Sequence, residues 1–181
     1  VRLNFSAVAK GYGADRIAKV LDNCKVANYL VEVGGEMMLK GNSHRGSPWK
    51  IAVEKPSTSL AAQSVQRIIG VTDRGVATSG DYRNYFSADG RRYSHTIDPR
   101  SGHALQHSLA AVTVLAENCS KADAWATALM ALGATRGQEV ADAQQIMALF
   151  LIRNDQGFEE QTSHALARLP AWKIASAKYP D

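Results

Sequence analysis

The sequence predicts an α+β fold, a mostly antiparallel sheet with packed helices. Three observations carry that expectation. Short apolar or alternating segments outnumber helical ones. Turn-forming stretches such as Asp89-Gly90 and Asn154-Asp155-Gln156-Gly157 join neighbouring segments closely, as hairpins do. Helical periodicity is confined to a few stretches between the strands, the pattern of helices laid on a sheet.

The elements follow in order. Residues from about 8 to 23 read as a helix, with Val8, Tyr12, Ile17, Val20 and Leu21 near the 3.6-residue period, although Gly11 and Gly13 weaken its first turns. "NYLVEVGGEMML" reads as one strand with a glycine pair inside it, and "WKIAVEKP" alternates until Pro56 stops it. "SVQRIIGVTD" and "GVATSG" are strands that meet at a turn around Asp73-Arg74-Gly75. "YRNYFSADGRRYSHTI" is a hairpin turning at Asp89-Gly90, and "LAAVTVLA" is a further strand. "SKADAWATALMALG" is a helix with Gly133 just past its end, and a shorter helix spans about 134 to 143. "IMALFLIR" and "GFEEQT" pair across the turn at 154–157. The expected domain covers 1–169, followed by a tail at 170–181.

Composition bounds the function. The chain has 181 residues, enough for one domain with a substantial core. It is 45% hydrophobic and 21% charged, with a net charge of +4 and a pI of about 9.1. That mild excess suits an anionic ligand but is too small and scattered for a nucleic-acid surface. No window is apolar for the roughly 18 residues a membrane span needs. Cys24 and Cys119 match no metal spacing and read as two small buried hydrophobes. The chain opens on Val1, straight into a strand-to-helix pattern, with neither initiator methionine nor signal peptide; we expect an upstream portion to be absent.

Five stretches carry candidate chemistry. In "SAVAKGYGAD", residues 6–15, glycines at a helix start let backbone approach an anion, Lys10 adds charge, and Asp15 suits a ribose hydroxyl; an ordinary helix start explains the same residues. In "EVGGE", Gly34 and Gly35 leave room for a flat ligand or simply form a bulge. In "ATSGDYRNY", Thr78, Ser79 and Gly80 form either a phosphate-binding turn or a common loop. In "HTIDPRSG", Asp98 caps a rigid turn, and His95 is either structural or a base near neutral pH. In "SKADAWATAL", Ser120 with Asp123 matches a capping-box variant. Asp123 and Thr127 also lie four apart on one helical face, where a carboxylate and a hydroxyl together suit Mg²⁺.

In that order and wording, the five stretches resemble the ApbE family of flavin transferases, from about residue 3 to residue 168. The family's N-terminal part, with further flavin contacts and in most members a lipid-anchored cysteine, has no counterpart here. The resemblance implies a tunnelling-fold-like antiparallel sheet and an activity. Members use Mg²⁺ to cleave FAD, attach FMN through a phosphoester to a threonine of an acceptor protein, typically a membrane redox-pump subunit, and release AMP. It implies Asp123, Thr127 and the Ala7 carbonyl as metal ligands. It implies Lys10, Gly11, Asp15, Gly34, Gly35, Thr78, Ser79, Gly80, His95, Thr96 and Ile97 along the FAD, and His95 with Asp98 as candidate proton acceptors. It also implies the periplasmic face of a bacterial inner membrane, through a lipid anchor on the missing part. Glu32 departs from the asparagine frequent before the glycine pair. An FAD pyrophosphatase and a non-catalytic flavin carrier are the rival readings; release of free FMN marks the first, and FAD retention without AMP release the second.

Overall fold

A computed structural model describes residues 4–54, 65–81, 85–88, 91–94, 97–99 and 101–170, with backbone alone for 85–88 and 91–94. Its order is α1 (Ser6–Asn23), β1 (Tyr29–Val33), β2 (Glu36–Lys40), β3 (Trp49–Glu54), β4 (Val65–Val71), β5 (Arg74–Gly80), β6 (Tyr85–Ala88), β7 (Arg91–Ser94), β8 (Leu109–Ala116), α2 (Cys119–Ala143), β9 (Met147–Asn154), β10 (Gly157–Thr162) and α3 (His164–Ala167). Six strands form one antiparallel sheet in the order β1-β2-β5-β8-β9-β10; β3 pairs with β4 and β6 with β7. The α+β, antiparallel expectation holds.

The middle of the sheet is covered on both faces, which is why β8 is apolar at nearly every position. From β8, Val112 and Val114 face α2, meeting Ala122, Ala126, Leu129 and Met130. Ala111 and Leu115 face the other way, onto Ile51 and Val53 of β3, Ile69 and Val71 of β4, and Leu166 of α3. The α2 and β3–β4 layers thus clamp opposite faces of one sheet, and successive β8 side chains go to alternate layers.

Three readings change. The run at 28–39 is a hairpin, not one strand: Gly34 (φ +61°) and Gly35 (φ +99°) form its two-residue turn, and Val33 pairs with Glu36. Two positive φ values in succession are what a tight hairpin loop demands of glycine. The apolar stripe of α1 points outward at Tyr12, Ile17 and Val20, while Gly11, Ala14 and Ala18 are buried. Small residues win that face because α1 lies close against its neighbours. Cys24 is exposed, whereas Cys119 is buried as expected. Elsewhere the boundary at 72–73 separates β4 from β5 without pairing them, since each joins a different sheet. Gly133 (φ 77°, ψ 178°) breaks α2 into the long and short helices expected. The Asp89-Gly90 turn and residues 171–181 of the expected tail lie outside the described residues.

Among the described residues, no helix is long and apolar enough to cross a membrane. At the end of α1, the Tyr29 hydroxyl donates to Asp22 Oδ1 at 3.1 Å, and Lys40 Nζ donates to the same oxygen at 2.7 Å. Burial, then the bond to Asp22, pushes the Tyr29 hydroxyl up to about 12. A raised folded value stabilises the fold below the unfolded value, and that contribution is lost as pH rises through the folded one.

Two outcomes are expected. Gly75→Ala puts a Cβ 2.3 Å from the backbone of Asn118 and Cys119, where no flexible side chain can yield. Its urea-unfolding free energy should fall by about 1–3 kcal/mol; parental stability contradicts the tight β5–α2 junction. Tyr29→Phe should cost about 1 kcal/mol at neutral pH. That deficit should shrink between about pH 10 and pH 12, because the parent alone must then lose a buried phenolic proton. A deficit constant across the window contradicts the assignment.

Candidate functional site

The site begins at the N-terminus of α2. Its first amides need acceptors that the helix cannot supply. Asn118 is the N-cap, its side chain accepting from Lys121 N at 2.9 Å. The Asp15 carboxylate accepts from Cys119 N and Ser120 N, each at 2.8 Å, and from the Ser120 hydroxyl. The cap therefore falls on Asn118 rather than on Ser120 with Asp123. Asp15 faces α2, with both its oxygens engaged, and does not line the main cavity.

One turn earlier on α1, Gly11 touches α2. Its amide donates to Asp123 Oδ2 at 3.0 Å. A Cβ on residue 11 would lie 2.5 Å from the Cys119 carbonyl oxygen and 2.8 Å from Asp123 Cβ. Gly11 serves the helix contact and, like Asp15, is not a wall of the cavity. Asp123 is 5% exposed. Burial raises its carboxyl above the usual range, opposed by the Gly11 amide and the Lys10 charge. Among the described residues its Oδ1 has no hydrogen-bond partner.

Asp123 and Thr127 open onto a cavity of about 930 Å³, of the size that holds a sizeable small-molecule ligand. Ala7 and Lys10 of α1 line it, as do Gly34 and Gly35 of the β1–β2 turn. Thr78, Ser79 and Gly80 come from the end of β5, and Ile97 from the segment before β8. The Thr78 and Thr113 hydroxyls are 2.8 Å apart. Ten of the predicted positions thus share one cavity.

The others do not. Asp98 borders a separate cavity of about 390 Å³ with His103 and His107. Its backbone is pinned in a turn: Asp98 N donates to the His103 carbonyl at 2.9 Å, and Gly102 N to the Asp98 carbonyl at 2.8 Å. His95 and Thr96 lie outside the described residues.

Sequence reasoning passed over several lining residues. Asn4, Ser6 and Glu36 are at the cavity, and residues 50–54 of β3 supply a wall. Lys10 Nζ binds Glu36 Oε1 at 2.7 Å and the Gly34 carbonyl at 3.4 Å. Glu36 is 3% exposed; burial raises its carboxyl, the Lys10 contact opposes the rise, and the Asp123 charge adds to it. Glu36 closes the "EVGGE" stretch, so its position was in view while its burial was not. Behind the site, burial and the charges of Asp15, Asp123 and Glu36 push the Cys119 thiol up to about 12, so it stands neutral and is no nucleophile.

The donors expected from the sequence, the Asp123 carboxylate, the Thr127 hydroxyl and the Ala7 carbonyl, are all oxygen, and all three residues line the cavity. Hard oxygens suit Mg²⁺, which takes few protein ligands and fills its shell with water and phosphate. The desolvated Asp123 carboxylate also fits a cation, which would reverse the cost of its burial. Among the described residues there is no cluster of three His, Cys, Asp or Glu side chains that suggests a different metal.

The "ApbE family" model matches residues 1–150. The FAD:protein FMN transferase of Vibrio cholerae is 48% identical over 161 residues, 89% of this chain and 48% of that protein. The FAD:protein FMN transferase of Haemophilus influenzae is 42% identical over 173 residues, 96% of this chain and 50% of that protein. The apo crystal structure of Pseudomonas stutzeri flavinyl transferase ApbE superposes with a TM-score of 0.82 at 42% identity, covering 97% of this chain and 53% of that one. The Thermotoga maritima ApbE protein superposes at 0.79 with 31% identity, covering 92% and 53%. The chain spans about half the length of the curated relatives it matches. Sequence match, superposition and the gathering of its motifs around one cavity agree: this chain belongs to the ApbE family.

Proposed function

We propose that the protein containing this chain is a Mg²⁺-dependent FAD:protein FMN transferase. The observation that carries the reading is the cavity of about 930 Å³ where Asp123, Thr127, Ala7, Lys10, the Gly34-Gly35 turn and the Thr78-Ser79-Gly80 segment converge. The family membership and the printed names of its relatives support it.

In this reading Asp123, Thr127 and the Ala7 carbonyl hold Mg²⁺, and Lys10 binds along the pyrophosphate. When bound, the metal offsets negative charge on the phosphate oxygens that would otherwise repel a nucleophile. The residues around it do the rest by positioning. The Gly34-Gly35 turn gives a wall without side chains, and Thr78 to Gly80 present small groups along another. The acceptor threonine oxygen forms a bond to the FMN-side phosphorus. The bond from that phosphorus to the bridging oxygen breaks, and AMP leaves with that oxygen. The hydroxyl proton passes to a base, His95 being the first choice by the family resemblance and Asp98 the second. The family resemblance further supports a redox-pump subunit as acceptor and the periplasmic face of a bacterial inner membrane, reached through a lipid anchor, as the place of work.

Two tests follow. Asp123→Ala in the protein carrying this chain should lower FMN transfer to a threonine-bearing acceptor, followed as covalent flavin fluorescence, by at least about a hundredfold, given the several kcal/mol a bound metal supplies. Full activity contradicts the metal assignment, and release of free FMN and AMP without acceptor labelling points to hydrolysis instead. Asp123→Asn keeps an oxygen for the Gly11 amide but loses the charge. Mg²⁺ should raise the melting temperature of the parent through binding linkage and leave that of Asp123→Asn unmoved; equal shifts contradict the assignment.

A further inference from the structure

Glu36 opens β2 directly after the two-residue turn, so a tight loop sets where its side chain leaves the backbone. It is 3% exposed and faces the main cavity. Its two oxygens differ. Oε1 accepts from Lys10 at 2.7 Å, while Oε2 is buried with no hydrogen-bond partner among the described residues. Buried acceptors are nearly always satisfied, and leaving one bare is costly. The fold keeps this carboxylate although burial raises it above its usual range. An unpaired acceptor on a residue that lines a ligand-sized cavity, covered in part by the movable Lys10 side chain, is a place for a ligand donor.

Chemistry narrows the donor. A phosphate is excluded, because two anions would meet in a desolvated place. The phosphates belong with the cation side of the cavity, at Lys10 and at Asp123 with Thr127. Lys10 is shared, since it holds Glu36 Oε1 and also faces the cavity. Glu36 therefore sits one Lys10 contact away from the phosphate position. In a flavin dinucleotide, the groups next to the pyrophosphate on either side are hydroxylated carbons, the ribityl chain and the adenosine ribose. Their hydroxyls are neutral donors of the right kind.

We propose that Glu36 Oε2 accepts a hydrogen bond from a sugar hydroxyl of the bound dinucleotide beside its pyrophosphate. This rests on the dinucleotide reading given above. Glu36 orients the ligand and takes no part in bond making; a charge-assisted bond of this kind fixes the register of the pyrophosphate against Asp123 and Thr127.

The test is equilibrium binding in the presence of EDTA, where no metal-dependent turnover intervenes. FAD, its 4′-deoxyribityl analogue and its 3′-deoxyadenosine analogue, each lacking the hydroxyl nearest the pyrophosphate on its side, are titrated against the parent, Glu36→Ala and Glu36→Gln. One deoxy analogue should bind the parent about tenfold more weakly than FAD, and which one it is tells the ribityl source from the ribose source. That penalty should vanish in Glu36→Ala, which cannot tell hydroxyl from hydrogen. A merely structural role, holding Lys10, would shift all three ligands together and leave the penalty in place. Should the alanine variant fail to fold, the penalty should still shrink in Glu36→Gln, whose neutral amide oxygen accepts a weaker bond than a carboxylate. Two overturning results are a parent indifferent to both analogues and a penalty unchanged in the variants. A parent that binds no FAD in EDTA or in Mg²⁺ overturns the dinucleotide reading itself, which a loss confined to the Glu36 variants does not.

Discussion

The whole site hangs on a contact between two helices that only a hydrogen atom at residue 11 allows. α1 approaches α2 so closely that any side chain there would strike the Cys119 carbonyl. The same closeness brings the Gly11 amide to Asp123 and the Asp15 carboxylate to the first amides of α2. Gly11 and Asp15 lie four apart on one face of α1. Between them they orient the helix that carries Asp123 and Thr127, and place the first turns of α1, with Ala7 and Lys10, beside it. The geometry of the cavity is thus fixed by backbone packing before any ligand enters. Behind α2, Ala122, Ala126 and Leu129 press on β5 and β8, so the helix cannot turn its polar residues elsewhere without opening the core.

This packing has an electrostatic consequence. Asp123 and Glu36 are both largely removed from water, and each is raised chiefly by that removal. Lys10 faces both but leaves the pair with more negative charge than its one ammonium offsets. A desolvated excess of carboxylate is a poor arrangement for stability alone. It is a good one for receiving a divalent cation and the donors of a polar ligand, since binding then satisfies groups that folding left bare. Readiness for a cation and a cost to stability would share one cause here, the burial of acids at the junction of α1, the β1–β2 turn and α2.

Much of this was legible in the residues. The four-residue spacing of Asp123 and Thr127 put them on one helical face, and both reach the cavity. Gly133 announced the break in α2, and hairpin turns announced the antiparallel sheet. Other features were not legible, for physical reasons. The glycine pair sits between two alternating segments, and alternation continues through a tight turn as it does through a bulge. The large apolar residues of α1 carry its hydrophobic signal, but close packing selects Gly11, Ala14 and Ala18, which carry little of it. Asp15 looks like any early helix acid until α2 arrives to use it as a cap. The burial of Glu36 is tertiary, created by Lys10 and the layers around it, and no periodicity records it. Distance in sequence hid the wall at residues 50–54, which reaches the site only because β3 and β4 fold over the sheet.

The central claim is that oxygens from α1 and α2 grip one divalent ion. Crystals of the protein carrying this chain, soaked in Mn²⁺ with FAD, test it most directly through anomalous scattering. A peak touching the Asp123 carboxylate, the Thr127 hydroxyl and the Ala7 carbonyl, with phosphate oxygens completing its shell, is the predicted result. A peak elsewhere, or an Asp123 side chain turned away from the flavin pyrophosphate, contradicts the account.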